Sequence, residues 1–85
     1  MYEIIMRKKA LKKLRTLPEK QQVFISQAIE FLALDPDDDR LHITKLGGRS
    51  GYRVRVGNWR IMYERDDCLR IISIDKIGPR GDVYK

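Results

Sequence analysis

GYRVRVGNWRIMYE, residues 51–64, alternates apolar and polar side chains on both sides of a Gly-Asn pair. A period of two marks a strand with one wet face, and two such runs joined by two turn-forming residues predict a β-hairpin. With Gly57 and Asn58 as the turn, Val56 lies opposite Trp59, Arg55 opposite Arg60, Val54 opposite Ile61 and Arg53 opposite Met62. One face then collects Tyr52, Val54, Val56, Trp59, Ile61 and Tyr63, which should bury against helices. The other collects Arg53, Arg55, Arg60, Met62 and Glu64. A slip of one residue would send the arginines into the core, so the pattern specifies its register sharply.

Like charges directly opposed on a sheet cost a few tenths to about one kcal/mol. Three arginines on one small patch therefore suit an anion that offsets their repulsion. Arginine is the better residue for forked contacts to phosphate oxygens. Two plainer readings stand beside this one. The patch is also what a solvated sheet face screened by salt would look like, with Glu64 neutralising one arginine. It could equally receive an acidic protein segment.

Outward from the hairpin, Arg65-Asp66-Asp67 reads as a charged turn. It leads to a third strand through Leu69-Arg70-Ile71-Ile72-Ser73-Ile74, with Gly78-Pro79 as the stop and Arg80 to Lys85 as a short tail. Towards the N-terminus, Tyr2 to Met6 is a short β-prone run. Lys8 to Thr16 sets Ala10, Leu11, Leu14 and Leu17 at helical spacing, with Lys8, Lys9, Lys12 and Lys13 opposite. Thr16-Leu17-Pro18-Glu19 fits a capping box with proline in the first turn, opening a second helix. That helix carries Phe24, Ile25, Ala28, Ile29, Phe31 and Leu32, and Asp35-Pro36 stops it. The predicted order is β-α-α-β-β-β, an α+β fold with a helical hairpin packed on one side of a mainly antiparallel sheet.

The 85 residues are expected to form a single domain, 1–85, burying about 60–65% of the unfolded surface. With 42% hydrophobic and 35% charged residues the chain is too apolar for a disordered tail. Eighteen Lys and Arg against 12 Asp and Glu leave a net charge of +6, which favours a polyanion or an acidic protein as partner. Cys68 is the single cysteine, so an internal disulfide and a cysteine-based metal site are excluded. No run approaches the length of a membrane span or of a signal-peptide core, so a cytoplasmic protein without membrane contact is expected.

GYRVRVGNWRIMYE followed by LRIISIDKIGPRGDVY resembles the RelE branch of the RelE/ParE toxins. The shared pattern is a Y-R-x-R-x-G-x-x-R-I-x-Y hairpin, a hydrophobic strand and a terminal G-x-R-x-x-x-Y. The N-terminal strand, the helical hairpin and Lys45-Leu46 before Gly47-Gly48 look like that family too, so the resemblance covers nearly the whole chain. It implies a toxin held inactive by a cognate antitoxin protein, acting on mRNA in the ribosomal A site and meeting ribosomal RNA there. It implies no metal and no cofactor. Position by position, Arg60 resembles the arginine that stabilises the transition state, Arg80 the one near the leaving group, and Tyr84 the tyrosine that orients the nucleotide. Arg53 and Arg55 stand where the best-studied branch often has lysines. On that basis Arg60, Arg80, Tyr84 and Arg55 are the expected catalytic residues, with Arg53 and Lys45 expected to bind substrate.

The implied reaction is attack of a ribose 2′-OH on the adjacent phosphorus, leaving a 2′,3′-cyclic phosphate and a 5′-OH. Guanidiniums can neutralise the charge that develops, and Tyr84 offers a ring for an unstacked base. A proton acceptor is harder to name, because arginine stays protonated. Tyr84 as phenolate is conceivable among cations, and Glu64 has the right parity but suits a salt bridge. Two rival readings share the scaffold: a ParE-like poison of DNA gyrase without nuclease chemistry, and a non-catalytic domain that only binds an antitoxin.

Other chemistry-bearing residues have plainer roles. His42, the sole histidine, could be a general acid, but it falls in a linker outside the matching motifs and reads rather as a surface residue. Asp37-Asp38-Asp39 reads as a solvated turn after a helix, Trp59 as core, and Cys68 as a small residue at a strand edge. The lysines of the first helix are either a solvated face or contacts to ribosomal RNA.

Overall fold

The computed structural model describes residues 1–47 and 50–79. Seven elements follow in order: β1 (Glu3–Met6), α1 (Lys8–Arg15), α2 (Glu19–Leu34), β2 (His42–Lys45), β3 (Tyr52–Val56), β4 (Trp59–Asp66) and β5 (Ile71–Pro79). The strands form one sheet in the order β1-β5-β4-β3-β2. All neighbouring pairs are antiparallel except β1 with β5, which run parallel. The class is α+β, as the alternation and helical spacing predict.

The hairpin register matches the sequence reading at every position: Val56 pairs with Trp59, Arg55 with Arg60, Val54 with Ile61 and Arg53 with Met62. Gly57 holds φ +60 at the first turn position, where L side chains are strained. A Cβ there would also stand 3.2 Å from the ring of Phe24, which lies against the turn. Tyr63 stacks on Tyr52 with centroids 5.6 Å apart, so the far end of the hairpin is fixed from the core side.

Four expectations are corrected. The residues assigned to a linker contain a further strand, β2, which forms by pairing His42 with Arg55, Ile43 with Val54, Thr44 with Arg53 and Lys45 with Tyr52. The third strand expected from Leu69 to Ile74 is Ile71–Pro79, because the tight turn occupies residues 67–70 and β5 continues along β4 to the pair Trp59–Pro79. Cys68 sits exposed in that turn, not on a strand edge. The capping box does not form either. Thr16 ends α1 and its hydroxyl donates to the Lys13 carbonyl at 2.7 Å, so it is not available to α2. Pro18 caps α2 without a side-chain bond, and the Gln22 amide crosses back to the Leu17 carbonyl at 2.8 Å.

One face of the sheet carries the core. Ala10 from α1, Ile25, Ile29 and Leu32 from α2, and Val54, Ile61, Tyr63, Ile72, Ile74 and Ile77 from the sheet bury together. Trp59 packs on this cluster and donates its indole N–H to Gln21 at 2.9 Å, as expected of an amphipathic core residue. Phe24 and Leu34, by contrast, stay exposed at 45% and 62%. The hydrophobic burial behind this core, on the order of 25 cal/mol per Å², keeps the helices on one face and leaves the other open.

Candidate functional site

Alternation along each strand fixes what the open face displays. Arg53 and Arg55 project from β3, Arg60 and Met62 from β4, and their β2 partners Thr44 and His42 join them across the sheet edge. On the other flank Gly78 pairs with Arg60 and Lys76 with Met62. Gly78 carries no side chain, so the floor beside Arg60 is low. Met62 is only 5% exposed, between Arg53 and Lys76 in register.

These positions enclose a shallow cavity of about 400 Å³, lined by Leu41, His42, Ile43, Thr44, Arg53, Arg55 and Arg60. Arg53 and Arg60 are half-buried and Arg55 is exposed. No carboxylate is among the lining residues. Three guanidinium groups converge on one concavity of roughly the size that admits a phosphate and its sugars. Such an arrangement can hold charge that builds on phosphoryl oxygens, with forked donors already aimed.

The structure brings Arg53, Arg55 and Arg60 together as the sequence reading placed them. Lys45 is not brought with them: its partner is Tyr52, so it projects to the core side of the edge strand and does not line the cavity. Arg80 and Tyr84 lie outside the described residues. Glu64 follows the open face and accepts a hydrogen bond from the Ser50 hydroxyl at 3.4 Å. His42, read from sequence as a surface residue in a linker, is exposed as expected but stands on β2 at the cavity rather than in a linker. A signal was present, since Leu41-His42-Ile43-Thr44 alternates with period two, but over too few residues to stand out.

A second basic hollow, of about 190 Å³, adjoins the site beyond Gly78 and is lined by Lys9, Lys13, Lys76, Ile77, Gly78 and Pro79. Three of these six residues are lysines, so positive charge continues from the arginines towards α1. The acidic run after α2 is engaged differently: Asp38 grips Arg40 at 2.8 Å and Asp37 grips Arg65 at 2.9 Å. Among the described residues no group of three or more His, Cys, Asp or Glu could hold a metal ion. No helix among them is long and apolar enough to cross a membrane.

Comparison with known proteins follows the same lines. Residues 4–84 match the family described as the ParE toxin of type II toxin–antitoxin systems. The chain is 35% identical over 86 residues to a protein of Methanocaldococcus jannaschii named as a RelE1 toxin, covering 99% of this chain and 96% of that one. Among solved structures, a chain of the archaeal RelE–RelB complex from Pyrococcus horikoshii superposes with a TM-score of 0.81 at 27% identity, over 95% of this chain and 97% of the other. A chain of the RelB–RelE antitoxin–toxin complex from Methanococcus jannaschii gives 0.75, also at 27% identity, with 95% of each chain covered. With the family match over residues 4–84, the relative at 35% identity and the shared fold, the chain belongs to the RelE/ParE superfamily and is a toxin of the type II toxin–antitoxin kind.

Proposed function

We propose that this toxin is an endoribonuclease that cuts mRNA on translating ribosomes without a metal, leaving a 2′,3′-cyclic phosphate and a 5′-OH. The observation that carries the reading is the convergence of Arg53, Arg55 and Arg60 on one open cavity. The RelE names of the relatives favour this branch over gyrase poisoning.

In this reading the phosphate of the scissile linkage enters the cavity. Arg60 and its register partner Arg55 bracket the non-bridging oxygens, and Arg53 holds the strand on the β3 side. As the 2′-oxygen attacks, further negative charge builds on the two non-bridging oxygens, and fixed guanidiniums stabilise it without reorganising. Arg80 stands by resemblance at the leaving 5′-oxygen, and Tyr84 as the ring that receives a base. Lys45 is left to touch RNA outside the cavity, across the edge of the sheet. The lysine-lined hollow beside α1 continues the track for flanking phosphates or ribosomal RNA. The solved complexes contain RelE with RelB; by analogy this chain is held inactive in the cytoplasm by a cognate antitoxin that covers the cationic face with an acidic segment.

The test adds purified chain to ribosomes programmed with a short mRNA and maps products by primer extension. Cuts within a codon are expected, and Arg60→Ala should abolish them. Intact mRNA together with trapped gyrase–DNA cleavage complexes would assign the gyrase function that the ParE name suggests. Neither product would leave a binding domain only.

A further inference from the structure

The arginine cavity lacks a proton acceptor among its guanidiniums, since arginine keeps its proton at any working pH. Tyr63, the nearest phenol on the central strand, is fully on the core side. Burial raises its pKa above the ordinary phenol value, so it stays protonated. One lining residue has the missing property. His42 pairs with Arg55 across the β2–β3 ladder, and its parity puts the imidazole on the cavity side with Thr44. It lines the cavity with Arg53, Arg55 and Arg60, and it is solvent-exposed, so a substrate can reach it. It also lines the adjoining apolar groove, whose Phe24, Ala28 and Phe31 give the ring a wall on its other side.

We propose that His42 is the general base of the cleavage, an inference that rests on the nuclease reading above. The neutral imidazole accepts the proton of the ribose 2′-OH while that oxygen bonds to phosphorus and the bond from phosphorus to the 5′-oxygen breaks. The proton then passes through solvent to the 5′-oxygen. The step is a transesterification with no net gain or loss of protons, and it requires no further reactant.

Charge around the ring fits this role. The groups facing His42 are Arg55 from β3, Arg53 beside it, Arg60 from β4, and Arg40 from the connection after α2. Arg40 is itself held by Asp38 through a bidentate contact at 2.8 and 3.1 Å. No carboxylate lines either cavity among the described residues. Histidine is the side chain whose charge ordinarily changes near neutrality, which suits a base at cytoplasmic pH. The arginine-for-lysine exchange at Arg53 and Arg55 then leaves the proton to a neighbouring strand.

Single-turnover cleavage on programmed ribosomes, followed from pH 5.5 to 9, tests the assignment with wild type, His42→Ala, His42→Gln and Arg60→Ala. Wild type should lose rate on the acid side with a slope of one, as expected for a single base that must be neutral. His42→Ala and His42→Gln should fall about 100-fold at neutral pH, lose that acid limb, and keep the wild-type melting temperature. Free imidazole should restore part of the His42→Ala rate. If both His42 variants keep the rate and the acid limb while Arg60→Ala is dead, His42 is no base and the nuclease reading survives. A slower His42→Ala that keeps the acid limb and ignores imidazole would mark a structural role and defeat the proposal. Wild type without any cleavage would bring down both.

Discussion

Two arginine sites on the same pair of strands have opposite surroundings. At one end of β4, Arg65 turns to the core side and is boxed in. Its guanidinium donates to Asp67 at 2.8 Å, to Asp37 at 2.9 Å and to the Tyr2 hydroxyl at 3.3 Å. It also lies over the Tyr2 ring at 5.5 Å, while Arg70 covers the same ring at 4.8 Å. Its side chain is 12% exposed, and hydrogen bonds to Asp37 above all raise its pKa. At the other end, Arg60 meets Arg55 and shares a cavity with Arg53. The first site ties the N-terminus, the α2–β2 connection and the β4–β5 turn together. The second concentrates like charge around an opening. The arginine that ties the fold together sits among carboxylates; the one proposed to serve a ligand faces another arginine in register.

That contrast makes Arg60→Met and Arg65→Met fail in different ways. Arg60→Met should lower cleavage by about 100- to 1,000-fold, with stability changed by less than about 1 kcal/mol. Arg65→Met should leave cleavage per folded molecule intact while costing about 2 kcal/mol, allowing for the exposure of Asp37 and Asp67. For a domain of this size that is a drop of about 10 °C in the thermal midpoint. Calorimetry beside the ribosome assay separates the two. If both variants melted early, the division of roles would be wrong.

A smaller effect sharpens it. Arg55→Thr removes the charge opposed to Arg60 and keeps a β-branched residue in the strand, so the fold should gain a few tenths of a kcal/mol. Cleavage should fall about tenfold as one oxygen contact is lost. A variant that gains stability while losing activity would mark strain retained for function; a loss of both would show that the pair is structural.

Acid should weaken the boxed-in site and the Asp38–Arg40 pair, not the arginine cavity. Hydrogen bonds from Arg65, then from Tyr2, hold the Asp67 carboxyl below its usual range, and hydrogen bonds from Arg40 hold Asp38 down to about 2. A carboxylate whose folded pKa is depressed stabilises the fold above its unfolded pKa, about 3.9, and loses that contribution as pH falls through the folded value. Urea midpoints should therefore hold between pH 7 and 5 and decline towards pH 2. In Arg65→Met the Asp67 share of that decline should vanish, and an unchanged acid profile would deny the linkage.

The hairpin was legible because its information is local. Five alternating residues, two turn residues and six more alternating residues dictate every pair from Val56–Trp59 outward, so the arginine face could be named residue by residue. The two helices were equally plain from their spacing. β2 was not, because His42–Lys45 has a single apolar residue, Ile43, and becomes a strand only by borrowing the edge of β3. The side of the sheet that Lys45 takes was unreadable for the same reason, as it depends on a ladder that the sequence does not announce. The Arg65 site was invisible because Tyr2, Asp37, Arg65 and Asp67 are scattered along the chain and meet only after folding. Local periodicity wrote the arginine face; the residue proposed to take the proton came from a strand that exists only through tertiary pairing.

The parallel pairing of β1 with β5 sets Glu3 beside Ile71 and Met6 beside Ile74. β1 thus depends on β5, far along the chain, for its backbone partner. Ile72 and Ile74, both fully buried, arrive with that last strand and complete the apolar interior. Loop closure over so many residues comes late in folding. A nascent chain lacking β5 can form the arginine hairpin yet has no finished layer to support it. A molecule proposed to attack ribosomes thereby lacks its supporting layer until β5 has docked between β1 and β4.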